Sequence, residues 1–194
     1  MNKRMSLKSK NLTINIPNII TVIRILLIPL FIIYLQRGLF LEALIVFSVM
    51  ALSDGIDGLL ARSFNQRTML GAYLDPIADK FLLTSAFVCL ALYELIPNWV
   101  AVIVISRDIM IVLGIAVLVV LDVKLEIKPI FDSKCATVIQ LFTVFVVLLG
   151  QIVSWVYIKE YSYILYILTS GITVWSGFHY LYIWLNIFQE VSGE

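Results

Sequence analysis

Six long apolar runs restrict this sequence to a narrow class of folds. A helix crosses the hydrocarbon core of a bilayer, about 30 Å thick, with about 20 apolar residues, and backbone in lipid must satisfy its own polar groups. Hydrophobic residues make up 61% of the chain and charged residues 14%, which lies outside the range of soluble domains. The sequence therefore predicts an all-α integral membrane six-helix bundle. The expected spans are residues 17–36, 40–61, 69–93, 97–121, 135–157 and 163–187.

Only short polar or proline-containing connections separate the runs, so one six-span domain is expected over residues 17–190. Residues 1–16 form a basic amphipathic segment, which we expect to lie beside the membrane on an anionic surface. No convincing repeat is found, which counts against a solenoid or a duplicated transporter.

The basic residues are distributed unevenly among the connections. The positive-inside rule places the termini and the connection after the second span in the cytoplasm. The cytoplasmic basic residues would be Lys3, Arg4, Lys8, Lys10, Arg62, Arg67, Lys124, Lys128 and Lys134, against Arg37 and Lys159 on the other side.

Four aspartates stand close together in this apolar chain. Asp54 and Asp57 are three residues apart at the end of the second span, and Asp75 and Asp79 are four apart at the start of the third. Each pair therefore shares one helical face. A charge at bilayer depth costs about 2.5–3.5 kcal/mol on insertion scales, so the carboxylates need compensating cations.

Hard divalent cations are the natural compensation. If the chain turns near residue 66, antiparallel helices bring the four carboxylates into two adjacent layers. Oxygen ligands favour Mg²⁺, Mn²⁺ or Ca²⁺ over zinc, and four carboxylates suffice for two ions about 3.5–4 Å apart. A calcium loop is excluded because Ile56 occupies a ligand position and the segment is expected to be helical.

Small residues and one arginine accompany the aspartates. Gly58 follows Asp57, and Gly71 lies one turn before Asp75. Small residues also permit close helix packing in membranes. Taken with four aspartates and Arg62, they favour the approach of a phosphate-bearing ligand, whose oxygens Arg62 can bind with two parallel hydrogen bonds.

These residues resemble the signature of the CDP-alcohol phosphotransferase family at every position. The signature as it stands here is Asp54-x-x-Asp57-Gly58-x-x-Ala61-Arg62, eight residues, then Gly71-x-x-x-Asp75-x-x-x-Asp79. The opening NIPNIITVIRILLIPLF, the ADK after the last aspartate and the ISRD of the fourth span resemble the branch that makes phosphatidylglycerophosphate or cardiolipin.

The resemblance implies a six-span enzyme, commonly a homodimer, that uses CDP-diacylglycerol within the membrane lipid. It implies that two divalent ions, Mg²⁺ or Mn²⁺, bind the diphosphate, and that Asp79 is also the general base. The location it implies is a bacterial inner membrane with the site facing the cytoplasm, and nucleic acid is not an expected partner. The implied metal ligands are Asp54, Asp57, Asp75 and Asp79, and the implied CDP contacts are Gly58, Ala61, Arg62 and Gly71.

Further polar residues lie in the spans. Asn18 and Thr21 are near the cytoplasmic end of the first span, where a nucleotide would bind, and Arg24 lies one turn further. Arg107, with Asp108 beside it, and Lys134 are candidates for binding the acceptor, although a purely structural role stays open for them. His179, the only histidine, is expected to be a packed residue and not a ligand.

Two acceptors remain open. Glycerol 3-phosphate is a dianion that needs several fixed cations, whereas phosphatidylglycerol presents a neutral diol. Enzymes that make phosphatidylglycerophosphate typically have further cations where this chain has Ile115 and Ala136, which resembles cardiolipin synthases. Because Arg107 and Lys134 remain, glycerol 3-phosphate is the preferred prediction.

A membrane cation transporter is the alternative from another functional class, because it too can bind ions with intramembrane aspartates. It does not require Gly58, Arg62 or Gly71, and it predicts broken helices in matching halves, which the sequence does not show.

Overall fold

The protein is a bundle of long α-helices. A computed structural model describes the backbone of residues 16–63, 69–120, 131–153 and 156–192, with side chains for 19–53, 78, 80–117, 132–153, 162–187 and 189. No strand occurs in these ranges, so the predicted all-α bundle is confirmed. The helices are α1 (Ile16–Gln36), α2 (Phe40–Ser63), α3 (Met69–Leu92), α4 (Asn98–Val120), α5 (Phe131–Ile152) and α6 (Val156–Ser192). The N-terminal segment of residues 1–15 lies outside the described residues.

The last two helices differ most from the predicted spans. α5 begins at Phe131, four residues before the expected start, and ends at Ile152, five residues before the expected end. α6 has 37 residues, about 55 Å of helix, and extends past both ends of the run at 163–187. The extensions of α5 and α6 beyond the predicted runs arise because hydropathy marks only the length needed to cross a bilayer, whereas a helix continues as long as its backbone hydrogen bonds do.

Three of the described helices are long and apolar enough to cross a membrane. Their apolar windows are Ile19–Gln36, Asn98–Val117 and Asp132–Ile152. Among the described side chains, α2 and α3 have apolar stretches at Phe40–Ser53 and Lys80–Leu92. The protein is an integral membrane protein.

Two tight turns reverse the chain at the end of the bundle opposite the aspartate motif, the signature from Asp54 to Asp79. After α1, Gly38 adopts the left-handed conformation at φ 69°, and Leu39 N–H donates to the Tyr34 carbonyl at 2.9 Å. After α3, Glu94 adopts the same conformation at φ 56°, and Leu95 N–H donates to the Leu90 carbonyl at 2.8 Å. Both are Schellman caps, which satisfy the last carbonyls of a helix.

The helices form two groups that pack against each other. α1 contacts α2 and α3, and α6 contacts α4 and α5, while contacts of α2 with α5 and of α3 with α4 join the groups. Near the tight turns the interior is apolar, and the rings of Phe31 and Phe47 lie 5.8 Å apart there. Towards the opposite end, the interior contains buried polar side chains, among them Arg24, Arg107 and Asp108. The bundle therefore has an apolar half and a polar half, and the aspartate motif belongs to the polar half.

Gly114 allows α4 and α6 to approach closely, because a Cβ built on it would lie only 1.6 Å from the indole ring of Trp184. We expect Gly114→Ala to displace the Trp184 ring and to lower the free energy of unfolding by about 1–3 kcal/mol. Gly171 on α6 is the matched control, because a Cβ there meets nothing within 4 Å. Thermal unfolding of the purified protein measures both variants, and equal midpoints for them would contradict this account of Gly114.

Candidate active site

The aspartate motif lies on continuous helices. α2 runs through Asp54 and Asp57, and α3 runs through Asp75 and Asp79, so the predicted helical spacing of each pair is confirmed. A helical backbone also agrees with the exclusion of a calcium loop. The predicted convergence of the four carboxylates concerns side chains outside the described residues, and it stays a prediction.

The residues predicted to contact CDP lie on the same helices and on α1. Gly58, Ala61 and Arg62 are in α2 and Gly71 is in α3, where their environment is outside the described side chains, as is that of Asn18. Thr21 on α1 is fully buried. Because α1 packs against both α2 and α3, the helix that contains Thr21 contacts the two helices that contain the aspartates.

Arg107 occupies the centre of the polar half of the bundle. Its side chain is 2% exposed, and its Nη1 donates to Asp108 Oδ1 at 2.7 Å. Its Nη2 donates to Ser133 Oγ on α5 at 2.7 Å and to Ser176 Oγ on α6 at 2.9 Å. The guanidinium also lies 5.9 Å from the centre of the Tyr180 ring. One buried cation therefore connects three helices, and its orientation is fixed by several partners.

Lys80 adds a fourth helix to this network. It follows Asp79 directly on α3, and its Nζ forms an ion pair with the same Asp108 oxygen that Arg107 contacts. The sequence patterns predicted no role for this lysine, which is part of the ADK run. The available signal was that an intramembrane cation needs a counter-charge, and Asp108 is a nearby candidate on another helix.

The three charges of this cluster do not cancel. Lys80 and Arg107 contribute two positive charges, and Asp108 contributes one negative charge, which leaves a net charge of +1. Because Arg107 and Asp108 are buried, water screens this charge weakly. Lys80, one of the two cations, directly follows Asp79 on α3. The excess positive charge therefore favours an anionic group in this part of the bundle.

Lys134, the other predicted acceptor residue, follows Ser133 on α5, and its side chain is exposed. The structure thus brings the backbone of Lys134 next to a residue that contacts Arg107, although Lys134 itself faces outward. Gln140 is fully buried further along α5, and its Nε2 donates to Thr173 on α6 at 3.0 Å. Gln140 therefore helps to hold α5 against α6.

His179 has a partner that the sequence did not suggest. Its Nδ1 lies 2.5 Å from Asp132 Oδ2, across the contact between α6 and α5. Both side chains are partly exposed, at 40% and 32%, so His179 is not the packed residue that was expected. Together with Trp175, Phe178 and Tyr182, the pair lines an open cavity of about 340 Å³ on the outside of the bundle. No sequence spacing links residues 47 positions apart on separate helices.

Sequence similarity identifies the protein family to which this chain belongs. The sequence model of the CDP-alcohol phosphatidyltransferase family matches residues 14–175, which includes the whole aspartate motif and the Arg107 network except Ser176 and Tyr180. The chain belongs to this family. The resemblance identified from the motif is therefore confirmed.

Relatives within the CDP-alcohol phosphatidyltransferase family are named for different activities. A probable phosphatidylglycerophosphate synthase of Mycobacterium tuberculosis is 33% identical, over 65% of this chain and 62% of its own length. A CDP-diacylglycerol–glycerol-3-phosphate 3-phosphatidyltransferase of Pseudomonas fluorescens is 43% identical, over 50% of this chain and 52% of its own. The human CMP-forming cardiolipin synthase is 32% identical, over 85% of this chain and 60% of its own. The chain thus spans less than two thirds of these relatives.

The Arg107 network makes a prediction about stability. In Arg107→Met, Asp108 retains Lys80 but loses its buried neighbour, and Ser133 and Ser176 lose a charged donor. Removing one partner of a buried ion pair costs about 3–5 kcal/mol, so we expect a clearly lower midpoint of thermal unfolding. Arg37→Met, in the exposed turn after α1, is the matched control and should change the midpoint little. Equal shifts for the two variants would contradict a stabilising role for the network.

Proposed function

We propose that this chain transfers a phosphatidyl group from CDP-diacylglycerol to a hydroxyl of glycerol 3-phosphate and releases CMP. Membership of the family supports a CDP-linked lipid as donor. The names of the relatives from Mycobacterium tuberculosis and Pseudomonas fluorescens support glycerol 3-phosphate as acceptor. The phosphatidyl phosphorus would form a bond to the acceptor oxygen as its bond to CMP breaks.

The buried Arg107 is the observation on which this choice of acceptor chiefly rests. A dianionic acceptor needs fixed cations in a site that excludes water, and a buried guanidinium held by Asp108, Ser133 and Ser176 provides one. The +1 charge of its cluster with Lys80 is appropriate for an anion. Lys134, exposed directly after Ser133 on α5, can attract the same anion from the cytoplasm.

Each part of the aspartate motif has a role in this proposal. Asp79 accepts the proton of the attacking hydroxyl, which requires its carboxylate to be ionised. Arg62 binds phosphate oxygens, and the small residues allow the nucleotide to approach the helices. The CDP contacts are Gly58, Ala61, Arg62, Gly71, Asn18 and Thr21.

The donor set of the motif fits a pair of hard divalent ions, Mg²⁺ or Mn²⁺. Its four side chains offer only carboxylate oxygens, and each pair lies at helical spacing on an unbroken helix. When bound, such ions neutralise the negative charge of the diphosphate. The ligands would be Asp54, Asp57, Asp75 and Asp79.

Phosphatidylglycerol is the second candidate acceptor, which would make the product cardiolipin. The human cardiolipin synthase aligns with 85% of this chain, against 65% and 50% for the relatives from Mycobacterium tuberculosis and Pseudomonas fluorescens. Ala136 is fully buried and Ile115 is partly buried. Both side chains are uncharged, so neither position provides a cation. A neutral diol requires fewer cations than a dianion. A cation transporter, in contrast, has no support from the family.

We propose that the domain lies in a bacterial inner membrane with its aspartate motif towards the cytoplasm. The uneven distribution of lysine and arginine supports this orientation, and bacterial relatives support the location. The six-span domain would cover residues 17–190, with residues 1–16 on the membrane surface. A homodimer is the assembly that the family resemblance implies.

Removing the proposed base tests the chemistry. We expect Asp79→Asn to reduce CMP release from CDP-diacylglycerol by roughly 100-fold or more, because it removes both a base and a carboxylate ligand. The parent protein should lose activity in excess EDTA and regain it with Mg²⁺ or Mn²⁺. Glu42→Gln, at an exposed site on the same bundle, is the matched control and should retain activity. Turnover by Asp79→Asn within tenfold of the parent, or full activity in EDTA, would refute these roles.

Competition between acceptors tests the choice of substrate. Purified protein with labelled CDP-diacylglycerol should convert glycerol 3-phosphate to labelled phosphatidylglycerophosphate in preference to making cardiolipin from phosphatidylglycerol. The physical reason is the excess positive charge around Arg107. Thin-layer separation of the lipid products measures the ratio. Accumulation of cardiolipin alone would establish the second candidate, and the roles of the aspartates would be unaffected.

A further inference from the structure

Two polar atoms in the Arg107 network are buried without a hydrogen bond. Among the described residues, neither Arg107 Nε nor Asp108 Oδ2 has a hydrogen-bond partner, and almost no surface of either atom is accessible, so a ligand reaches them only when the side chains that cover them move aside. The two side chains are only 2% and 6% exposed. An unpaired buried donor or acceptor destabilises a structure substantially, and one attached to a charged group does so more. A ligand that pairs with both atoms would remove this penalty.

The remaining polar atoms of the two side chains show that they are held in place. Arg107 uses Nη1 for Asp108, and Nη2 for Ser133 and Ser176. Asp108 uses Oδ1 for both Lys80 and Arg107. The side chains therefore do not rotate freely, and the unpaired Nε–H and Oδ2 are presented in fixed positions.

The chemistry of these two atoms selects their ligand. Arginine Nε–H only donates, which suits a phosphate oxygen. An ionised carboxylate oxygen only accepts, so it repels phosphate and requires a hydroxyl or an N–H. Because Arg107 and Asp108 are joined by the bond from Nη1 to Oδ1, the two unpaired atoms belong to one ion pair, and a molecule that satisfies both must have an anionic oxygen and a hydroxyl on one small unit. A phosphorylated glycerol unit has this arrangement.

We propose that Asp108 recognises the middle hydroxyl of the acceptor's glycerol unit, through a hydrogen bond to Oδ2, while Arg107 Nε–H binds the neighbouring phosphate. This inference rests on the proposed function and assigns Asp108 the selection of the acceptor. The attacking hydroxyl is the terminal one, so Asp108 contacts substrate without taking part in bond formation. Lys80 is consistent with this placement, because it pairs with Asp108 and directly follows Asp79, the proposed base.

The proposal predicts discrimination between two closely similar acceptors. The compound 3-hydroxypropyl phosphate has the terminal hydroxyl and the phosphate of glycerol 3-phosphate but lacks the middle hydroxyl. With this analogue, Asp108 Oδ2 stays buried and unpaired. We expect the parent protein to use glycerol 3-phosphate with a kcat/KM roughly 10- to 100-fold higher, because sites built to bind a hydroxyl reject analogues that lack it.

The decisive experiment compares variants of the full chain in detergent micelles with labelled CDP-diacylglycerol. Asp108→Ala should reduce activity with glycerol 3-phosphate and bring the kcat/KM ratio of the two acceptors close to one. Ser176→Ala is the matched control: it removes a partner of Arg107 without changing Asp108, so it should lower both activities and preserve the ratio. If Asp108→Ala lowers both activities equally and keeps the parent's ratio, Asp108 is only structural and the proposal is overturned.

A second measurement covers the case in which Asp108→Ala does not fold. Calorimetric titration of the Asp79→Asn protein with each phosphate should give a Kd for glycerol 3-phosphate roughly tenfold or more below that for 3-hydroxypropyl phosphate. Equal Kd values, or equal use of both acceptors by the parent, would overturn the proposal without any Asp108 variant.

Failure of the proposed function gives a different result from failure of this inference. If glycerol 3-phosphate is neither used nor bound and phosphatidylglycerol is the acceptor, the choice of acceptor is wrong. The role of Asp108 is then tested by comparing phosphatidylglycerol with phosphatidyl-1,3-propanediol, which lacks the same hydroxyl. Equal rates with these two lipids would refute the role of Asp108 for that acceptor.

Discussion

The ion pairs of Asp108 with Lys80 and Arg107 determine how the polar half of the bundle is assembled. A buried carboxylate is costly without counter-charges, and here one cation comes from α3 and the other from α4 itself. Arg107 in turn reaches hydroxyls on α5 and α6. Because hydrogen bonds have narrow ranges of distance and angle, these contacts fix the relative heights of four helices. Apolar packing alone tolerates small sliding movements far better.

The two halves of the bundle therefore have different physical tasks. The apolar half, around Phe31, Phe47 and Leu148, provides close packing between helices whose outer faces are also apolar. Lipid competes with such contacts, so packing between helices in a membrane contributes little specificity unless small or polar residues take part. The polar half provides that specificity, and it also contains the aspartate motif. A site that needs charge is thus located where the helices are already held by polar contacts.

This arrangement has a consequence for how related enzymes differ in their acceptors. In the proposed reaction the donor binds at the aspartates of α2 and α3, whereas the acceptor binds the network of α4, α5 and α6. The number of cations in that network can change without altering the donor site. In this chain Ala136 and Ile115 are uncharged, while Arg107 is retained and neutralised only in part. A small change in charge can therefore shift preference between an anionic acceptor and a neutral one.

The sequence by itself determined that the chain is an integral membrane protein, that its fold is all-α and that it belongs to this family. These follow from local properties: long apolar runs predict helices in a membrane, and the signature from Asp54 to Asp79 lies within one pair of consecutive helices. It could not give the ends of α5 and α6, because hydropathy reports solvent and not hydrogen bonding. The pairs of Lys80 with Asp108 and of His179 with Asp132 were decided by the tertiary structure, because they join residues 28 and 47 positions apart on different helices. Their formation depends on which helices are neighbours and at what height, and no short-range pattern contains that information.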